Sequence, residues 1–132
     1  RKNRTTDVLS FPFHSAKKLT KILKKEKEIY LGDIIINLDQ VGYKKNLKLF
    51  KSQFDKLWVH GLVHLFGYDH KNKEDFKEMS SEEKKYFTHQ HFPVPKQDLK
   101  LKGHFIFNIS VLIFHSCALC IAVFTSGLEI KL

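Results

Sequence analysis

A charge-free apolar run near the C-terminus most constrains how this chain folds. From His104 to Phe124 the 132-residue sequence contains no Asp, Glu, Lys or Arg. About 20 apolar residues are enough for a helix to cross a bilayer, although polar residues such as Asn108 are costly in hydrocarbon unless they find a partner. We therefore expect an apolar helix over 104–124, which is a transmembrane segment, a buried core helix or a tail foreign to the rest of the domain.

The charges around this run set its orientation if it spans a membrane. Lys96, Lys100 and Lys102 precede the run, whereas only Lys131 follows it. Positively charged flanks stay on the cytoplasmic side of a membrane. Residues 104–124 would then tether the N-terminal part of the chain to the membrane from the cytoplasm.

The sequence before the run predicts a small domain of short strands and helices. Five stretches have the residue pattern of a strand or a helix. They are strands over 7–13 and 29–38, a lysine-rich helix or excursion loop over 15–28, and helices over 46–66 and 74–87. Gly67 ends the long helix, and Pro93 and Pro95 break the chain after the last one. The folded domain is therefore expected to end near residue 91.

Three histidines of the long predicted helix and its following turn form the clearest candidate site. His60 and His64 are four residues apart and share one face of a helix. Gly67 stops the helix, so that the chain reverses and can bring His70 to the same place. Three neutral imidazoles are a ligand set for zinc, and they leave the fourth tetrahedral position open, as in catalytic sites. The spacing predicts one zinc ion per chain. The simpler alternative is that the three are unrelated surface or core histidines.

Two neighbours of these histidines bear on the chemistry. The familiar zinc-protease motif has a glutamate after its first histidine as general base, but this position is Gly61. A standard metalloprotease mechanism is therefore disfavoured. Asp69 either orients an imidazole from the outer coordination shell or forms the turn. No side chain is a secure general acid or base, so a zinc-bound water of lowered pKa is the expected nucleophile.

The charge of the chain favours a polyanionic partner. The sequence has 23 Lys and Arg against 14 Asp and Glu, a formal net charge of +9. Such an excess on a small domain is typical of proteins that bind nucleic acid or an anionic membrane surface. A basic surface that only keeps the protein soluble is the alternative.

Four blocks of sequence occur in a specific order along the chain. They are TDVLSFPF at 6–13, LGDI at 31–34, HGLVHLFGYDH at 60–70, and Met79 with Glu82. In order and spacing they resemble the YbeY family of bacterial endoribonucleases, also called rRNA maturation factors. The resemblance covers roughly residues 2–88, and the histidine block is its most specific part.

This resemblance implies an α+β fold, similar to zinc hydrolases, in which a small mixed sheet packs with helices. It implies a zinc ion on the three motif histidines and cleavage of single-stranded RNA. The implied process is small-subunit (16S) rRNA 3′-end maturation and ribosome quality control in the cytoplasm, with rRNA and the small ribosomal subunit as partners. Lys2, Arg4 and the lysines of 17–27 are then candidate contacts to the RNA backbone.

Two departures from the family pattern leave alternatives open. Family members carry further N-terminal elements ending in a Tyr-Arg pair, whose arginine is thought to help bind or activate the RNA phosphate and would fall just before Arg1. Family chains also end soon after the helix with Met79, so the apolar tail is not a family feature. We expect an N-terminally truncated domain over 1–91, a linker over 92–103, the apolar segment over 104–124 and a tail over 125–132. The alternatives to an active enzyme are a non-catalytic RNA- or ribosome-binding factor with a structural zinc, and an inactive remnant.

Overall fold

The strands and helices of the structure follow the apolar patterns of the sequence. The structure, a computed structural model, describes residues 6–42, 45–88, 104–115 and 118–131, and in the last two ranges the backbone alone. Its elements are β1 (Val8–Pro12), α1 (Ala16–Ile22), β2 (Glu28–Asn37), α2 (Leu47–Leu65), α3 (Lys73–Phe87), β3 (His104–His115) and β4 (Ala118–Lys131). The α+β class is confirmed, and so are the elements predicted between residues 7 and 87.

The four strands form one mixed sheet in the order β1-β2-β3-β4. Strands β1 and β2 are antiparallel, with Val8 opposite Ile36 and Pro12 opposite Gly32. Strand β3 runs parallel to β2, and β4 returns antiparallel to β3. The predicted mixed sheet is therefore confirmed.

Helix α2 lies against the sheet and forms the core together with β2. In β2 the buried positions include Ile34 and Ile36, which meet the buried side of α2 formed by Val59, Leu62 and Val63. Fully burying an aliphatic side chain of this size contributes roughly 1.5–3 kcal/mol. Helix α3 packs against α2 through the buried Met79 side. This packing leaves His60 and His64 only partly buried at the C-terminal end of α2.

The ends of α2 and α3 are set by local hydrogen bonds. The side chains of Asn46 and Asn72 cap the two N-termini by accepting from the backbone N–H groups of Leu49 and Asp75. At the other end of α2, Gly67 adopts a left-handed φ of +94°. Its N–H donates to the His64 carbonyl at 2.9 Å, and the next N–H donates to the carbonyl of residue 63 at 3.3 Å. This Schellman-type ending turns the chain sharply back toward α2.

The C-terminal segment corrects one prediction. An apolar helix was expected over 104–124, but the described residues of this range, 104–115 and 118–124, are extended and belong to β3 and β4. The run is rich in β-branched and aromatic residues, which favour strands. Alternation of polar and apolar residues is expected of a strand only where one face of its sheet is solvated, so the lack of alternation did not argue against a strand and misled the helix assignment.

The same segment bears on the membrane and domain predictions. Among the residues that the structure describes, no helix is both long and apolar enough to cross a membrane. The predicted linker over 92–103 lies outside the described residues. The division of the chain at residue 91 stays a prediction, although β3 hydrogen-bonds to β2 of the predicted domain.

Candidate metal centre

Three imidazoles meet at the C-terminal end of α2. His60 and His64 lie one helical turn apart, and their Nε2 atoms are 3.2 Å from each other. After the turn at Gly67, the ring of His70 lies 5.6 Å from that of His60 and 5.2 Å from that of His64, between ring centres. One nitrogen from each ring lies within 4.8 Å of the others. The structure thus brings together the three residues predicted from their spacing.

The other ring nitrogens of the two helical histidines have hydrogen-bond acceptors. Nδ1 of His64 donates to the backbone carbonyl of Tyr68 at 2.9 Å. Nδ1 of His60 donates to the Glu83 carboxylate, with 2.7 Å between Nδ1 and Oε1. A carbonyl and a carboxylate only accept hydrogen bonds, so each ring carries its proton on Nδ1 when neutral. Both Nε2 lone pairs are consequently left for a ligand.

This arrangement fits a metal ion. Two lone pairs facing each other at 3.2 Å repel unless a cation or a proton lies between them. Two nitrogens bound at about 2.0–2.1 Å to a tetrahedral zinc ion are about 3.3 Å apart. Partners that accept from the distal N–H are also the usual way in which metal-bound histidines are oriented. His60, His64 and His70 can therefore hold a metal ion.

Burial tunes the protonation of the site. The partly buried position of His64 lowers its pKa, and the nearby rings of His60 and His70 lower it further, whereas the hydrogen bond to the Tyr68 carbonyl acts in the opposite direction. A lowered pKa keeps His64 in the neutral form, which is the form that binds metal. The Tyr68 phenol is buried, and burial raises its pKa, so its hydroxyl stays protonated.

Gly61 faces the sheet and not the metal site. A Cβ built on Gly61 would lie 2.8 Å from the Ile34 Cγ2 and 3.1 Å from the Ser10 Oγ. The Ser10 hydroxyl donates to the Gly61 carbonyl at 3.1 Å, which ties β1 to α2. A glutamate in the position of Gly61 would point into the core. The absence of a protease-type general base therefore reflects the close packing of this helix on the sheet.

Asp69 makes contacts that are typical of a turn residue. One carboxylate oxygen accepts from the backbone N–H of His70 at 2.8 Å, and the other lies 2.9 Å from the Lys71 ammonium. The hydrogen bond from Lys71 is the main reason that the pKa of Asp69 is lowered. These contacts match the predicted turn-forming role. The outer-shell role toward an imidazole stays a prediction.

An open groove of about 1000 Å³ gives access to the histidines. One wall is the chain from Thr6 to Ala16, and the other is α3 at Ser80, Glu83 and Lys84. His14 lies in the first wall, and its Nδ1 has no hydrogen-bond partner among the described residues. Burial of the ring and, to a smaller extent, the charge of Lys18 lower the pKa of His14.

Sequence reasoning missed the residues that α3 contributes. Glu83 reaches His60, whereas Glu82, which belongs to the motif blocks, is buried and pairs with Lys85. Residue 83 follows the buried Met79 by four residues, so it lies on the same face of α3, which is the face toward α2. This spacing could have been read from the sequence.

The predicted RNA contacts that the structure describes do not line the groove. Lys2 and Arg4 lie outside the described residues. The lysines of 17–27 are exposed, but none of them lines the groove. Two other lysines, Lys56 and Lys84, do line it.

The fold and the site together define a small α+β domain with three histidines that can hold a metal ion. Residues 1–91 match the family model described as Endoribonuclease YbeY. The chain belongs to the YbeY family.

Curated relatives agree with this assignment. Endoribonuclease YbeY of Pelagibacter ubique is 43% identical over 84 residues, which cover 62% of this chain and 51% of the relative. The proteins of the same name from Caldicellulosiruptor bescii and Campylobacter jejuni are 39% and 34% identical, over 58% and 73% of this chain and 52% and 63% of their own lengths. The chain thus spans between half and two thirds of the length of these relatives. No solved structure matches it significantly.

Proposed function

We propose that this chain is a zinc-dependent endoribonuclease specific for single-stranded RNA. We further propose that it acts in small-subunit (16S) rRNA 3′-end maturation and ribosome quality control in the cytoplasm. The single observation that carries the proposal is the pair of Nε2 atoms 3.2 Å apart, with both Nδ1 atoms engaged by acceptors. The relatives carry the name of an endoribonuclease, and membership of the family supports the same reaction for this chain.

The donor set favours zinc. Three imidazoles suit zinc better than they suit magnesium or calcium, which prefer oxygen ligands. When bound, zinc supplies Lewis acidity toward a phosphoryl oxygen and toward water. The chain itself contributes orientation, because Glu83 and the Tyr68 carbonyl hold the rings of His60 and His64 with their Nε2 atoms toward each other.

The groove and the charge suit an RNA strand as substrate. Single-stranded RNA is an extended polyanion, and the groove is open beside the histidines. The formal net charge of +9 supplies attraction that does not depend on base sequence. Binding should therefore weaken steeply as salt rises, because lysine and arginine contacts release counterions from the phosphates.

Metal content tests the site. Purified protein should hold about one zinc per chain, measured by elemental analysis after removal of free metal. His70→Ala is the sharpest variant because His70 is exposed, so loss of zinc does not follow from a disrupted core. His14→Ala is the matched control, since His14 lines the same groove outside the cluster. Equal zinc in wild type and His70→Ala would overturn the metal assignment.

RNA cleavage tests the activity. The zinc-loaded chain should cut a labelled single-stranded RNA and leave the duplex form intact, and a chelator should stop cleavage. His70→Ala, purified in parallel, controls for a contaminating nuclease. If the chelator leaves RNA binding unchanged and wild type cuts no RNA, the protein is instead a non-catalytic RNA-binding factor with a structural metal. A chain that neither binds nor cuts RNA would be an inactive remnant.

A further inference from the structure

Two lysines at one end of the groove have no carboxylate partner. Lys56 of α2 and Lys84 of α3 are exposed, line the groove, and form no ion pair with any residue in the described part of the chain. Other lysines nearby are neutralised, namely Lys51 by Asp55, Lys71 by Asp69 and Lys85 by Glu82. Lys56 and Lys84 therefore present to the groove two ammonium groups that no carboxylate in the described part of the chain neutralises.

Both lysines are placed on the same side of the histidine cluster, next to His60. Lys56 precedes His60 by four residues, which is about 6 Å along the helix on the same face. Lys84 directly follows Glu83, whose carboxylate accepts from His60 Nδ1 at 2.7 Å. Lys56 and Lys84 consequently lie on the two helices, α2 and α3, that meet at His60, and both line the groove.

Helix stability explains only one of these cations. Lys84 lies in the last turn of α3, where a positive charge interacts favourably with the helix dipole. Lys56 lies in the middle of α2 and has neither this reason nor an acidic partner. An anion with more than one charge, shared between the two helices, accounts for both lysines at once.

We propose that Lys56 and Lys84 bind the backbone phosphates of RNA that flank the reacting phosphate on one side. This inference rests on the proposed function and deepens it, since it fixes the path of the strand along the groove. Lysine binds phosphate as a point charge, so the contact reads the backbone and not the bases. Lys56 and Lys84 are positioning residues, because they hold the strand while other groups act on it.

The expected effect is a change in salt dependence. For single strands, each phosphate neutralised by a lysine contributes about 0.7 to the slope of log affinity against log salt concentration. The double variant Lys56→Ala/Lys84→Ala should lower this slope by about 1.4 and weaken binding roughly tenfold at low salt. The probe is a short 2′-O-methylated, fluorescein-labelled single-stranded oligonucleotide, followed by fluorescence anisotropy with the full zinc-loaded chain.

Lys45→Ala/Lys48→Ala is the matched control. It removes the same charge from exposed positions at the start of α2, outside the groove. This control should bind the probe within about twofold of wild type. Equal loss in both double variants would show that only the overall charge matters and would overturn the inference. Equal zinc content in all variants shows that the site is intact.

Neutral linkages locate the contact on the RNA. Probes that each carry one methylphosphonate in place of a phosphate should bind wild type more weakly only when the neutral linkage lies next to the reacting position on one side. These same probes should show no further loss with Lys56→Ala/Lys84→Ala. A uniform loss along the strand, or an unchanged loss in the double variant, would overturn the inference. Wild type that binds RNA without cutting it overturns the proposed activity instead, so the two failures are distinguishable.

Discussion

Gly67→Ala should destabilise the domain because it strains the turn that carries His70. The φ of +94° lies in the left-handed region, which costs a residue with a side chain about 1–2 kcal/mol. The new methyl group would also lie 2.7 Å from the Ala16 Cβ, and overpacking of this kind costs about 1–3 kcal/mol. Alanine restricts the unfolded chain and returns about 0.5–1 kcal/mol. The free energy of unfolding should therefore fall by about 1–4.5 kcal/mol.

A second substitution separates the two causes. Ala16→Gly removes the methyl group that the new side chain meets, while the backbone strain at residue 67 remains. In a double-mutant cycle, Ala16→Gly should recover about 1–3 kcal/mol of the loss caused by Gly67→Ala, which is the steric part. The remainder, about 0–1.5 kcal/mol, is the cost of the left-handed conformation less the free energy that alanine returns through the unfolded chain.

Urea unfolding with zinc removed measures all four members of the cycle. Far-UV circular dichroism follows the helices, and the single Trp58 gives an independent fluorescence signal. Gly67→Ala with unchanged stability would refute both the strained turn and the contact. A loss that Ala16→Gly does not relieve would refute the contact alone and leave the backbone argument standing.

Glu83→Gln should weaken zinc binding about 10- to 100-fold, because partners that orient a metal-bound histidine typically contribute that much. Competition with a chromophoric chelator measures the zinc affinity, and an unchanged affinity contradicts the orientation of His60 by the carboxylate. Gly61→Ala should lower stability by up to about 2 kcal/mol, since overpacking costs about 1–3 kcal/mol and the better helix propensity offsets about 1; a more stable variant in urea unfolding contradicts the close packing. Because burial lowers the pKa of His64, the unfolded chain takes up its proton at higher pH than the folded chain. Metal-free protein should therefore lose stability as the pH falls below about 6.5, and His64→Gln should flatten this dependence; a wild-type stability that rises on acidification argues against a neutral buried imidazole. The predicted boundary at residue 91 implies that a chain ending at residue 95 is soluble, unfolds cooperatively and binds zinc, whereas aggregation of this fragment would show that β2 needs β3 beside it.

Local features of the sequence determined most of the first 88 residues. Strand and helix periodicity, together with a glycine that can adopt a left-handed φ, depend on neighbours a few residues away. The spacing of His60, His64 and His70 worked for the same reason, since a helical turn and a Schellman-type ending are local geometry. The histidine cluster was therefore predictable without knowledge of the packing.

Tertiary structure alone decided the features that join distant parts of the chain. Residues 104–124 are apolar enough for a helix, but residues 104–115 find backbone partners on β2 and form the strand β3, with which β4 pairs in turn. From the sequence, Gly61 shows only that the protease-type general base is absent. The structure adds the reason, because the sheet lies directly against this residue. Likewise, Lys56 is one exposed lysine among many until α3 places Lys84 across the same groove. Spacing along a helix is set by backbone geometry, whereas the contacts between elements depend on packing free energy summed over the whole domain, and no short stretch of sequence contains that sum.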